Sequence, residues 1–87
     1  MSLRIVTLRG QTGSTLQVSG RLMGPWIVEL EREFDFVAGG ERQITVDISD
    51  VTFVAIDAVE LLRGFLKRGA ALRGCPPYLL QDLQGSP

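Results

Sequence analysis

The chain has 87 residues, 45% of them hydrophobic, and nine lysines and arginines against ten acids leave a net charge of −1. That length holds one domain, and the charge balance gives no basic field to attract nucleic acid or anionic lipid. With no histidine and one cysteine, the chain lacks Ser-His and Cys-His pairs, imidazole metal ligands and cysteine zinc sites.

Cys75 has no second cysteine to pair with, which suits a reducing compartment. No stretch approaches the roughly 20 apolar residues that cross a bilayer, and the first residues lack a signal-type apolar core. The expectation is a cytoplasmic protein without membrane insertion. Neither a GxxxxGK[ST] loop nor a GxGxxG is present. Nothing therefore points to an enzyme, a metal or a cofactor.

In chain order, residues 2–9 and 15–22 alternate apolar and polar around a polar, glycine-bearing segment at 10–14, the pattern of a β-hairpin. Gly24-Pro25 then opens a helix, because proline is tolerated in the first turn. Trp26, Ile27, Leu30, Phe34 and Val37 recur near the 3.6-residue period, with Glu29, Glu31, Arg32, Glu33 and Asp35 on the other side. Trp26 could be an exposed partner anchor, but its spacing to Leu30 and Phe34 favours a core residue, and Phe36, off the stripe, is the better candidate for a surface aromatic. Gly39-Gly40 stops the helix.

Residues 43–48 alternate as a strand with one buried face, formed by Ile44, Val46 and Ile48. Ser49-Asp50 reads as an interruption before the apolar stretch at 51–54. From Asp57 the period changes again, and Ala58, Leu61, Leu62 and Phe65 form a helical stripe opposite Glu60, Arg63, Lys67 and Arg68. The basic residues Arg63, Lys67, Arg68 and Arg73 read as a solvated face, matched to the negative end of the helix dipole. Gly69 ends that helix, residues 70–75 read as a short strand, and Pro76-Pro77 precedes a short helical piece at 78–83.

The order ββαβαβα predicts an α/β fold with a mixed sheet of about four strands: an opening hairpin, then parallel pairing through crossovers. Because the third strand alternates, the helices are expected mainly on one face of the sheet.

Three segments, LQVSGRLMGPWIVELERE, ERQITVDISDVTFVAIDAVELL and LKRGAALRGCPP, together resemble the STAS domain family. That fold is shared by bacterial anti-sigma factor antagonists and the cytoplasmic ends of sulphate transporters, and the resemblance covers residues 14–83. It implies a non-catalytic protein-binding module that regulates transcription or signalling, with an anti-sigma factor or kinase-like protein as partner. The other implied role is a regulatory subunit of a transport or lipid-trafficking assembly. The last helix looks short beside the family's, and a homodimer covering the surface so left is expected.

In the family a Ser or Thr in an Asp-Ser-x-Gly or Asp-Ser-Ser-Gly motif is phosphorylated by the partner kinase, and the phosphate breaks the complex. Aligned on VTF and LL, the motif falls on Ala55, Ile56, Asp57 and Ala58, so Asp57 takes the phosphoacceptor position. Were Asp57 the leading Asp instead, Ala58 or Val59 would be the acceptor, again without a hydroxyl. Thr52, the nearest hydroxyl, precedes the motif and reads as a strand or turn residue.

Three readings of Asp57 remain. It suits a helix N-cap, whose carboxylate accepts hydrogen bonds from the free N–H groups of the first turn. It also suits a permanent imitation of phosphoserine, with about one negative charge where the phosphate has roughly two. A catalytic acid needs a titratable partner, and only Glu60 is near. The partner-binding region implied by the resemblance is Phe53, Ala55, Ile56, Asp57, Ala58 and Glu60.

Overall fold

The computed structural model describes residues 3–39, 43–75 and Leu79. The elements run β1 (Arg4–Arg9), β2 (Ser14–Leu22), α1 (Pro25–Ala38), β3 (Ile44–Val54), α2 (Ile56–Lys67) and β4 (Ala71–Arg73). This is the α/β order expected, as far as β4. The proposed helix at 78–83 lies outside the described residues except for Leu79, which is helical and buried.

The four strands form one sheet in the order β1-β2-β3-β4, with β1 antiparallel to β2 and the other two pairings parallel. Alternation along each strand divides the sheet into two unlike faces. Leu16, Val18 and Leu22 of β2 and Ile44, Val46 and Ile48 of β3 are buried, and they join Leu30, Phe34 and Val37 of α1 and Ala58, Leu62 and Phe65 of α2 in one core. Both helices therefore cover one face. The other carries Arg4, Val6, Gln17, Ser19, Asp47 and Asp50, which line a shallow concavity of about 300 Å³.

The helices meet through stacked rings. Phe34 and Phe65 lie 3.9 Å apart between centroids at 9°, and the Arg68 guanidinium sits 4.7 Å above the Phe34 ring. The same guanidinium makes a 2.7 Å ion pair with Asp35, tying the end of α2 to α1. Beyond the area they bury, ring stacking adds about 0.5–1.5 kcal/mol and an exposed cation–π contact about 0.5–1 kcal/mol.

Trp26 is half-buried against the core and Phe36 is 72% exposed, in line with the helical period. The basic residues expected on one solvated face divide instead. Arg63 and Arg68 pair with Glu60 and Asp35 on the helical side. Arg73 lies 3.9 Å from Asp47, its register partner across β3 and β4.

Ser49-Asp50 does not interrupt the strand: β3 runs unbroken through both residues. The polar pair marks a bulge. Gln17 pairs with Asp47 but Ser19 pairs with Asp50, so β3 carries one extra residue there; a second extra residue falls at Thr52, between the Gly20–Val51 and Arg21–Phe53 pairs. Gly20 meets this irregular stretch with φ 104°, a conformation open to glycine. The Thr52 hydroxyl donates to the Gly20 carbonyl at 3.2 Å, which gives the bulged residue a partner across the strands.

Each extra residue inverts the side-chain alternation, and two restore it. Val54 consequently packs on the core opposite Leu22, whereas Phe53, opposite Arg21, is exposed.

Candidate partner-binding surface

The junction between β3 and α2 is anchored by backbone. The Ala55 N–H donates to the Leu22 carbonyl at 3.0 Å, fixing the start of α2 against the end of β2. Ala55 itself is the N-cap, in extended conformation (φ −71°, ψ 160°), and its carbonyl accepts from Ala58 and Val59 at 2.9 and 3.2 Å. No side chain caps this end of the helix.

Asp57 is therefore not the N-cap. It is the second residue inside α2, where its carboxylate stands in the first turn and interacts with the positive end of the helix dipole. The expectation failed because a cap is identified by backbone conformation, and the extended residue is Ala55, two positions earlier. Asp57 is exposed, so its charge faces solvent at the mouth of the helix.

The sequence-predicted site residues separate into a surface and its support. Ile56 is 84% exposed and Phe53 49% exposed, and Asp57 and Glu60 are exposed as well. Ala55 is half-buried, and Ala58 is completely buried in the core, so it supports the surface without forming part of it. Glu60 makes a 2.7 Å ion pair with Arg63 one turn along the helix and still faces outward with Phe53, Ile56 and Asp57.

Sequence reasoning missed Met23. It follows directly on the Leu22 anchor, is 40% exposed, and so adds a flexible apolar side chain at the edge of the junction. The signal was available in the chain: a methionine between the end of a strand and the Gly24-Pro25 helix start has no periodic neighbour to bury it. The Ile56 exposure was legible in the same way, since Ile56 precedes the stripe of Ala58, Leu61 and Leu62.

Thr52 serves the strand, as expected. Its hydroxyl is occupied by the Gly20 carbonyl.

Among the described residues, Asp47 and Cys75 depart from their ordinary values. The Ser49 hydroxyl and, less strongly, the Ser49 N–H hydrogen-bond to Asp47 and hold its carboxyl below the usual aspartate range, while Arg73 adds a smaller attraction. Burial pushes the Cys75 thiol up, away from the reactive thiolate.

Among the described residues, no group of three or more acids and cysteines is placed to hold a metal ion, and no helix is long and apolar enough to cross a membrane. No protein-family model matches the chain, and no curated relative was found.

Proposed function

We propose that this domain is a non-catalytic protein-binding module of cytoplasmic signalling, similar in role to an anti-sigma factor antagonist but without a phosphorylation switch. The observation that carries the proposal is the exposure of Phe53 and Ile56 beside the Asp57 carboxylate, at the one junction where the resemblance to STAS domains places partner recognition. Aromatic and large aliphatic side chains exposed around a fixed charge suit a protein interface, in which a few apolar anchors carry most of the affinity.

In this reading Asp57 sets the state of the module. A carboxylate in the first turn of α2 keeps a negative charge where the family adds one by phosphorylation, so the kinase-type partner is disfavoured and the domain serves a partner that tolerates the charge. The two bulges of β3 cancel in their effect on facing, so Phe53 stays outward while Val54 stays packed on the core.

Affinity capture from the native cell tests the reading, with retained proteins identified by mass. Wild type is expected to retain a protein that the Phe53→Ser/Ile56→Ser variant loses. Asp57→Ala and Asp57→Ser are expected to gain an anti-sigma-type kinase. Equal retention by wild type and the double variant contradicts the assigned surface. If Asp57→Ala retains the same proteins as wild type, the charge only supports the helix.

A further inference from the structure

The face of the sheet that the helices leave open is ordered in rows across the strands. Arg4 pairs with Ser19 and Ser19 with Asp50, so these three form one row with Ser19 in the middle. All three line the open-face concavity. Neighbouring strands lie about 4.8 Å apart, so the backbones of Arg4 and Asp50 stand about 10 Å apart on either side of β2. Both residues are exposed. Among the described residues, neither the Arg4 guanidinium nor the Asp50 carboxylate has an ion pair or side-chain hydrogen bond.

The column between them is of another kind. On this face β2 presents Thr15, Gln17 and Ser19, since Ser14, Leu16 and Val18 alternate with them toward the core. Each of the three side chains carries both a hydrogen-bond donor and an acceptor.

A twofold contact requires that where residue i meets j, j also meets i, and that a residue on the axis meets itself. An axis along β2, between two facing sheets, brings Arg4 over the partner's Asp50 and Asp50 over the partner's Arg4. It sets Thr15, Gln17 and Ser19 against their own counterparts, which donor-and-acceptor side chains can answer. A segment of another protein would have to supply both charges at this spacing; a second copy carries them by construction.

We propose that two copies of this chain pair face to face through the open side of the sheet, held by two reciprocal Arg4–Asp50 ion pairs. The strands of the two sheets run aligned, as in a β-sandwich. Val6 and Leu8, 37% and 49% exposed, lose solvent against the partner's β3. Covering Asp47 leaves no unanswered charge, because Ser49 and Arg73 already satisfy it. The face is small and largely polar, so the dimer is reversible, not obligate. Its ion pairs use none of the residues assigned to the β3–α2 junction.

Sedimentation velocity of the intact chain, from micromolar to millimolar concentration, reads the association. Wild type is expected to dimerise reversibly in that range, and more weakly as salt rises. Arg4→Asp and Asp50→Arg, each alone, set like charges against each other and weaken the dimer about tenfold or more. Mixed in equal amounts, the two variants pair with each other as wild type does with itself. The double variant Arg4→Asp/Asp50→Arg likewise dimerises with itself, which separates charge pairing from a damaged fold. A wild type that is monomeric at millimolar concentration overturns the proposal. So does a dimer that survives either single variant unweakened, or a mixture of the two that stays monomeric.

Discussion

Asp57 illustrates how much depends on two positions of register along a helix. As an N-cap it would lose about 0.5–2 kcal/mol on conversion to alanine; as a first-turn acid it loses only the dipole interaction, about 0.3–1 kcal/mol. Chemical denaturation of Asp57→Ala should therefore show a loss below about 1 kcal/mol. Asp47 behaves differently because its ionised form is the one the fold stabilises. Its folded pKa lies below the ordinary value of 3.8, so the contribution of its Ser49 hydrogen bonds is fully present above that value and is lost as pH falls through the folded pKa. Urea midpoints measured from pH 6 to pH 2 should decline less steeply at the acid end for Asp47→Asn. Gly74 is a third sensitive residue. Its φ is 77°, and a Cβ there would stand 2.7 and 2.8 Å from the Ser49 Cα and N. Gly74→Ala should cost about 1–3 kcal/mol or more in the same measurement, since neither the backbone nor Ser49 can yield without moving the bulged part of β3.

At the scale of elements, α2 is an incompletely capped helix whose far end is well secured. Ala55 already has cap geometry but no side-chain acceptor. Ala55→Asp should raise stability by about 1 kcal/mol, read as a rise in melting temperature of roughly 4–8 °C for a domain of this size. At the other end, Arg68→Ala removes both the contact over Phe34 and the pair with Asp35. The loss should be about 0.5–2 kcal/mol, because both contacts are partly exposed and screened. The elements themselves were legible because apolar periodicity changes cleanly from two to 3.6 and back. Ile44, Val46 and Ile48 announced a one-sided strand, and Leu30, Phe34 and Val37 a one-sided helix. The bulges were visible only as the polar pair Ser49-Asp50, which local composition cannot distinguish from a turn. Pairing with β2 decides that point, and pairing is a property of two strands.

The whole molecule is a sheet with one committed face and one open face, and its candidate partner-binding surface follows from that division. Covering one face with α1 and α2 buries the core and leaves the start of α2 projecting beside the end of β2, where Phe53, Ile56 and Met23 are exposed. Phe53, Ile56 and Asp57 are all exposed, whereas Ala58, which the motif alignment groups with them, is buried. Burial of Ala58 depends on how α2 is rotated against the sheet, which the helical stripe indicates and the motif alignment obscures.

Hydrogen–deuterium exchange on the domain bound to its captured partner tests the central claim most directly. The account predicts slowed exchange over residues 53–58 in the complex, with no such change when Phe53→Ser/Ile56→Ser is mixed with the same partner at equal concentration. A complex that forms equally with the double variant, with slowed exchange elsewhere and none at 53–58, contradicts it.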